Sequence, residues 1–437
     1  MAARDGPGGT VTDAADHPPA PADLRSTVSW NAVLRSSPPR RALTLYAREM
    51  LRSPAAPNKF TFTFLIKACL RASAPGLAPH LHCHLAKLGL SSDPFLQSAL
   101  MAAYAAAARL PAVLQLYSHG ARGDPVVQTA LVSAYAKCGL PDQAHRVFDN
   151  MTAANSVTWA AVVSGYAQSG RDAEALGVFR RMRLAGVEPT EACMISVLSA
   201  SARLGALEEG RWVHRHISRC GARLTPSLGT ALLTMYARCG CLDSAVRVFD
   251  DMPQRDRQAW AAMISAMAAH GQAGRALHLF DDMVGRGLLP DGVTYVGVLS
   301  ACSHAGLTGE ACRHFQRMTE VYNIAPGLEH YGCMVDVLGR AGRVEAAWGM
   351  VQSMPVEPDE FVLKSLLSAC CGHGGYMGYA EWAAGKLTGI DAGHAGSYVL
   401  LSNAYASMGR WEDSARVRKL MRRRGVPKAP GSSLAEQ

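Results

Sequence analysis

The chain has 437 residues, of which 49% are apolar and 18% charged, and this composition excludes an intrinsically disordered protein. The formal net charge is +9, but seven basic residues and no acidic one lie between Arg416 and Lys428, so the remainder carries only +9 − 7 = +2. No uncharged apolar run reaches the ~18 residues of a membrane span, since the best candidate, Leu96–Ala108, is followed by Arg109. Aromatic residues make up only 7%, which favours closely packed helices over a β-sandwich.

The N-terminal segment is acidic and rich in proline. Residues 1–26 hold four aspartates against two arginines, with prolines at positions 18, 19 and 21. Transit peptides are rich in arginine and serine and poor in acidic residues, so this segment shows no clear transit peptide. We predict a disordered leader over residues 1–26.

Two features of the next stretch are structural signals. Pro38 and Pro39 follow Ser37 and predict that the first helix ends there, because proline neither continues a helix nor tolerates a helical residue before it. Histidines at positions 80, 82 and 84 with a cysteine at 83 resemble a metal site. The leucines at 81, 85 and 88 have the spacing of an amphipathic helix, so we predict ordinary helix surface and core and no metal.

A repeat begins to show from Tyr135 onwards. Four similar strings end in glycine, namely Tyr135–Gly139, Tyr166–Gly170, Tyr236–Gly240 and Tyr405–Gly409, and weaker copies end at positions 205, 271, 306 and 342. From position 139 to 342 the steps between successive glycines are 31, 35, 35, 31, 35 and 36 residues. In several copies a phenylalanine follows the glycine by nine residues and a methionine comes three later. This register predicts a repeat array.

Each repeat has the pattern of two helices. In Pro226–Asp256, one apolar stripe at i, i+3, i+4 spacing precedes Gly240 and a second follows it, and glycine suits the left-handed residue that ends a helix. Two such helices cannot bury both stripes alone, whereas stacked neighbours can, so we predict an all-α solenoid. The period does not separate protein-binding from RNA-binding solenoids.

The residue strings of the repeats resemble those of the plant pentatricopeptide repeat family, PLS subclass. The matching strings are Trp159–Tyr166, Ala231–Gly240, Arg247–Pro253 and His330–Gly342, and the resemblance extends over about residues 27–433. That subclass mixes motifs of 31 residues (S) with motifs of 35 or 36 (P and L), the lengths present here. The resemblance implies a right-handed α-solenoid of stacked helix-turn-helix repeats.

The resemblance divides residues 27–359 into about ten motifs. Residues 360–433 are similar to the degenerate repeats of the family's E region, and residues 434–437 form a short tail. The motifs are Thr27–Asn58, Lys59–Asp93, Pro94–Asp124, Pro125–Asn155, Ser156–Thr190, Glu191–Thr225, Pro226–Asp256, Arg257–Asp291, Gly292–Gly327 and Leu328–Asp359.

By resemblance, each motif contacts one nucleotide of single-stranded RNA through its fifth and last residues. Unpaired bases offer free Watson–Crick edges to such side chains. The implied pairs are Asn31 with Asn58 for a pyrimidine, Thr129 with Asn155 for adenine, and Thr63 with Asp93, Ser98 with Asp124 and Thr230 with Asp256 for guanine. Thr63 lies in an L motif, and the implied preference without it is 5′-Y-n-G-A-n-n-G-3′. Five motifs lack a polar fifth residue: Ala160, Ile195, Ala261, Val296 and Gly332.

The second residue of each motif is implied to wedge between bases. The alternative is that these residues are ordinary caps of the inner helix, just as a polar fifth residue could belong to a solvent-exposed polar face. Six apolar side chains suit the wedge, whereas Gln258 and Glu329 do not: Val28, Phe60, Phe95, Val126, Val157 and Val293.

No catalytic signature accompanies the repeats. The zinc-deaminase pattern requires HxE and CxxC, and neither occurs in the chain. We therefore expect a non-enzymatic protein without a cofactor that binds single-stranded RNA and neither membrane nor DNA. Where members of this family continue with Gly-x-Ser-Trp, this chain has Gly431–Leu434.

The resemblance implies work in a mitochondrion or chloroplast. Site recognition for C-to-U RNA editing is the expected role, with a DYW-type deaminase protein and other editing factors as possible partners in trans. The sequence leaves three alternatives open: control of an RNA's stability, splicing or translation by occupancy, a protein-binding helical scaffold, or a truncated gene product.

Overall fold

The computed structural model describes residues 26–120, 122–221, 223–373, 375–390, 395–407 and 409–426. The predicted leader, apart from Ser26, and the predicted tail lie outside these residues. Within them all regular structure is helical, with 24 α-helices and two short 3-10 turns, Met50–Arg52 and Pro75–Leu77. The all-α prediction is confirmed. None of the helices in these ranges is long and apolar enough to cross a membrane.

Helices alternate as the first and second members of successive hairpins. The first helices are α1 (Thr27–Ser36), α3 (Lys59–Arg71), α5 (Pro94–Ala106), α7 (Pro125–Lys137), α9 (Ser156–Gln168), α11 (Glu191–Leu204), α13 (Pro226–Arg238), α15 (Arg257–Ala269), α17 (Gly292–His304), α19 (Leu328–Arg340), α21 (Glu360–His373) and α23 (Ala395–Ser407). The second helices are α2 (Pro39–Arg48), α4 (Ala78–Lys87), α6 (Leu110–His119), α8 (Pro141–Asp149), α10 (Asp172–Leu184), α12 (Leu207–Arg219), α14 (Leu242–Asp251), α16 (Ala273–Gly285), α18 (Thr308–Glu320), α20 (Val344–Gln352), α22 (Met377–Ile390) and α24 (Trp411–Arg423).

The described residues form two compact units, which divide after Ala200. Within the first unit α3, α5, α7 and α9 pack side by side, and within the second α13, α15, α17, α19, α21 and α23 do the same. Small residues let neighbouring first helices approach closely. A Cβ atom on Gly165 of α9 would lie 2.8 Å from the Cβ atom of Ala136 on α7, so only glycine fits there.

The repeated anchors occupy the places that their spacing predicts. Phe179, Met182, Phe280 and Met283 are fully shielded from solvent on the second helices. The glycine that ends each repeated string follows a first helix and adopts a left-handed conformation, with φ of 80° at Gly240. The phenylalanine and methionine anchors named here are therefore core residues, as predicted.

The first hairpin is interrupted where its prolines predict. Helix α1 ends at Ser36, and α2 begins at Pro39 with proline in its first turn, the one part of a helix where the missing N–H is harmless. The first motif is therefore short, yet Trp30 and Leu34 still bury their side chains in the core of the first unit.

Histidine–tyrosine hydrogen bonds join consecutive hairpins. A histidine on a second helix contacts the hydroxyl of a tyrosine on the following first helix in three places: His82 Nδ1 with Tyr104 at 3.0 Å, His145 Nδ1 with Tyr166 at 2.8 Å, and His214 Nδ1 with Tyr236 at 2.9 Å. His84 instead contacts Tyr46 at 2.6 Å. His82 and His84 thus serve different tyrosines on different helices, in keeping with the helix-surface interpretation of the 80–84 cluster.

Candidate nucleic-acid interface

One groove in the first unit collects several of the predicted recognition residues. It has a volume of about 350 Å³ and lies over α5, α7 and α9. Two fifth residues (Ser98 and Thr129), two second residues (Val126 and Val157) and one last residue (Asn155) line it together. Neighbouring motifs therefore place their predicted recognition positions on one continuous surface, which we call the first-helix face.

The second residues of several motifs carry exposed apolar side chains on their first helices. Phe60 is 57% exposed and Phe95 is 68% exposed, although aromatic side chains of this size are usually buried. All six side chains that suited the wedge role are exposed: Val28, Phe60, Phe95, Val126, Val157 and Val293. Leaving them in water costs free energy unless a partner covers them, so their regular exposure favours a ligand with flat apolar faces.

The last residue of each motif is also the N-cap of the next first helix. Asp93 Oδ1 accepts hydrogen bonds from the N–H groups of Phe95 and Leu96 at 3.0 and 3.1 Å, and Asp256 Oδ1 accepts from Ala259 at 2.9 Å. Capping satisfies helix N–H groups that otherwise lack partners. Because one oxygen is held by the cap, an aspartate offers its other oxygen as an acceptor, and an asparagine offers its Nδ2–H groups as donors.

Four of the five predicted fifth residues have bonded polar groups. Ser98 Oγ donates to Phe95 O and Thr63 Oγ1 donates to Lys59 O, both at 2.9 Å, while Thr129 Oγ1 lies 2.9 Å from Thr158 Oγ1. The fourth, Asn31, donates to Asn58 Oδ1 at 3.1 Å.

The predicted pairs differ in how their two members are joined. Asn31 and Asn58 touch directly, and Thr129 and Asn155 are joined through Thr158, which donates to Asn155 Oδ1 at 3.0 Å. For the three pairs ending in aspartate, the described hydrogen bonds do not link the two members. The hydroxyl of Thr230 is buried without a hydrogen-bond partner among the described residues.

The sequence was compared with models of protein families and with known proteins. The model of the PPR repeat matches residues 129–155, 157–187, 230–256, 293–321 and 329–357, the model of the PPR repeat family matches 255–304, and the model of the E motif matches 377–436. A pentatricopeptide repeat-containing protein of Arabidopsis thaliana is 43% identical over 394 residues, which cover 90% of this chain and 74% of that protein. The chain belongs to the pentatricopeptide repeat family.

A second relative and a solved structure agree with the assignment of this pentatricopeptide repeat protein to its family. The pentatricopeptide repeat-containing protein ELI1, chloroplastic, of Arabidopsis thaliana is 44% identical over 91% of this chain, which spans 62% of that relative's length. Among solved structures, maize PPR10 in complex with an 18-nt psaJ RNA element has a TM-score of 0.70 at 17% identity, covering 91% of this chain and 60% of PPR10. The solenoid fold class is thereby confirmed, and the mixed motif lengths and the E motif agree with the PLS subclass.

In the motif Leu328–Asp359, whose fifth residue is Gly332, an aromatic ring covers the fifth position. The ring of Phe361 occupies the space that a Cβ atom on Gly332 would need, so this fifth position is covered by the second residue of the next motif. The sequence did not single out Phe361, although it is 51% exposed and belongs to the same series as Phe60 and Phe95.

Basic side chains occupy the last turn of several first helices. Arg71, Lys137 and Arg238 are exposed at the thirteenth position of their motifs, and Lys137 lines the groove described above. A cation there suits the negative end of the helix dipole and equally suits a phosphate. The basic run on α24 is partly engaged within the protein, since Arg418 donates to Ser402 at 2.8 Å and Arg424 donates to Tyr398 at 2.6 Å.

Proposed function

We propose that this protein binds single-stranded RNA with sequence selectivity through the first-helix face. The groove that brings Ser98, Thr129 and Asn155 together between Val126 and Val157 carries the proposal. It provides hydrogen-bonding groups at its polar positions and apolar surface on either side, which is the combination that an unstacked base requires. PPR10, which shares the fold, was solved in complex with an RNA element.

The capping geometry supports a rule for which base each motif accepts. An outward Asp oxygen is only an acceptor, so it suits guanine or uracil, whose ring nitrogen carries a proton. An outward Asn Nδ2 is a donor, so it suits adenine or cytosine, whose ring nitrogen accepts. Asp124 and Asp256 then favour guanine and Asn155 favours adenine, in agreement with the preference 5′-Y-n-G-A-n-n-G-3′. The pair of Asn31 and Asn58 contributes the pyrimidine position.

Two further contacts complete the binding mode. The exposed Phe60, Phe95 and valine side chains stack against or wedge between successive bases, which is favourable by about 1–3 kcal/mol per base on an aromatic ring. Lys137 and the basic residues at equivalent positions contact phosphates, so affinity falls with rising salt.

The biological role that we propose is recognition of sites for C-to-U RNA editing in a mitochondrion or chloroplast. The E motif at residues 377–436 supports this role, and relatives such as ELI1 are named chloroplastic. Without HxE or CxxC in the sequence, deamination would be supplied by a separate DYW-type protein. Occupancy of an RNA to control its stability, splicing or translation would use the same surface.

Selection from a randomised single-stranded RNA pool at moderate salt tests the binding. We expect enrichment of G-A followed, after two unread nucleotides, by G. Salt-sensitive binding without any enriched sequence would contradict sequence selectivity. Sequencing organellar transcripts from a knockout plant tests the role, and unchanged editing at every site would reject it in favour of occupancy.

A further inference from the structure

A buried threonine follows two of the recognition pairs. Thr61 and Thr158 are the third residues of their motifs, and both are fully shielded from solvent. Each hydroxyl contacts the last residue of the preceding motif, with Thr158 Oγ1 donating to Asn155 Oδ1 at 3.0 Å and Thr61 Oγ1 lying 3.2 Å from Asn58 Oδ1. The same hydroxyl also reaches the fifth residue of that preceding motif, Thr129 at 2.9 Å or Asn31 at 2.7 Å.

The chain of hydrogen bonds at Thr158 fixes which groups face a base. Asn155 Oδ1 only accepts, and the proton of Thr158 is directed to it. Thr129 must then donate its own proton to Thr158 and presents only lone pairs outward. The pair therefore presents one acceptor, the Thr129 hydroxyl oxygen, and one donor, Asn155 Nδ2, to the base. Adenine, with its N6 donor and its unprotonated N1 acceptor, complements that pattern.

Other motifs of the chain provide natural contrasts. Thr294 caps its helix in the same way, donating to Asp291 Oδ1 at 2.8 Å, but the fifth residue of the preceding motif is Ala261, which has no hydroxyl to join. After Ser98 and Thr230, the corresponding third residues are Val127 and Ala259. Among the described residues, the relay from a fifth-position hydroxyl through the third-position hydroxyl to the capping asparagine therefore occurs at Thr158. At Thr61 the hydroxyl instead donates to Asn31 Oδ1 at 2.7 Å, and Asn31 donates directly to Asn58.

We propose that Thr158 is a positioning residue that sets base specificity from the following motif. The nucleotide opposite Thr129 and Asn155 is then recognised by two residues of one motif and a buried hydroxyl of the next. This inference rests on the proposed RNA binding and names a determinant of its specificity. It predicts that the third residue changes which base is preferred without touching the RNA.

The test compares Thr158→Val with Thr294→Val. Valine has the shape of threonine and keeps the backbone cap of Thr158 N–H to Asn155 at 3.0 Å, but it removes the hydroxyl. We measure binding to RNAs that carry each of the four bases opposite Thr129 and Asn155. The preference for adenine over guanine should fall about three- to tenfold in Thr158→Val, as expected for one lost hydrogen bond. Thr158→Ser should restore it.

Thr294→Val is the matched control, because it removes an equally buried capping hydroxyl where no fifth-position hydroxyl is joined. It should leave every base preference unchanged. An unchanged adenine preference in Thr158→Val, or failure of Thr158→Ser to restore it, overturns the relay. If Thr158→Val does not fold, Thr158→Ala repeats the test with Thr294→Ala as its control. Wild-type protein that binds all sequences equally would reject the proposed function itself, which distinguishes the two failures.

Discussion

Nδ1 of His214 forms a hydrogen bond of 2.9 Å with the Tyr236 hydroxyl across the joint between two hairpins. Burial lowers the pKa of His214 below its usual value of 6.5, and burial does the same at His82, which is bonded to Tyr104. A protonated ring would place a charge in a partly desolvated site. Burial therefore favours neutral histidine at both joints.

Stability should consequently depend on pH. Because the unfolded chain binds these protons more tightly than the folded one, the free energy of unfolding should fall as pH drops below about 6.5 and be fully retained above it. Urea unfolding between pH 5 and pH 8 measures this. His214→Gln should reduce the dependence, with His82 supplying part of the remainder, whereas His278→Gln, at a side chain 77% exposed, should leave it unchanged. Equal slopes in both variants would contradict the assignment.

Two phenylalanines should separate folding from binding. Phe280 is fully buried against Tyr295 and His314, so Phe280→Ala should destabilise the protein by about 3–5 kcal/mol. Phe60 is exposed on the first-helix face, so Phe60→Ala should change stability by less than about 0.5 kcal/mol and weaken RNA binding. Chemical denaturation and RNA titration of the same samples provide the comparison. A large loss of stability in Phe60→Ala would show that its ring is structural.

Exchanging one cap atom should weaken the preference for adenine. Asn155→Asp keeps the Oδ1 cap but places an acceptor opposite adenine N1, which is also an acceptor, so the preference for adenine over guanine opposite Thr129 should fall about tenfold. Competition binding with two RNAs that differ at this nucleotide measures it. Asp359→Asn, in the motif where Phe361 covers Gly332, is the control and should alter no preference.

Thiol reactivity should follow burial. Burial raises the pKa of Cys193, Cys333 and Cys370 to about 12, so these thiols are protonated and shielded in the folded protein. Cys83, Cys220 and Cys312 are exposed and should react first with a thiol reagent at pH 8. Mass spectrometry of the labelled protein identifies the sites. Early labelling of Cys193 would indicate that its helix opens readily.

The spacing of anchors predicted the fold well, because one register of Phe179, Phe280 and the turn glycines repeats along the chain and each hairpin needs a neighbour. It could not predict the environment of individual polar atoms. Thr230 and Thr129 occupy the same motif position, yet the first has a buried, unbonded hydroxyl and the second bonds to Thr158. That difference depends on the third residue of the following motif, to which the motif pattern assigns no role in recognition.

In the proposed binding mode the last residue of a motif both caps a helix and contacts a base, and this double use restricts how the protein can acquire new targets. A substitution that keeps a capping oxygen, such as Asn to Asp, alters the preferred base while the next helix still starts in place. Replacement by alanine at Asp93 or Asp124 would remove the cap as well, at a cost of about 1 kcal/mol of stability. Mutations that change the RNA target are therefore restricted to a few short polar side chains at this position. Other side chains lose the cap and destabilise the fold, whether or not RNA is bound.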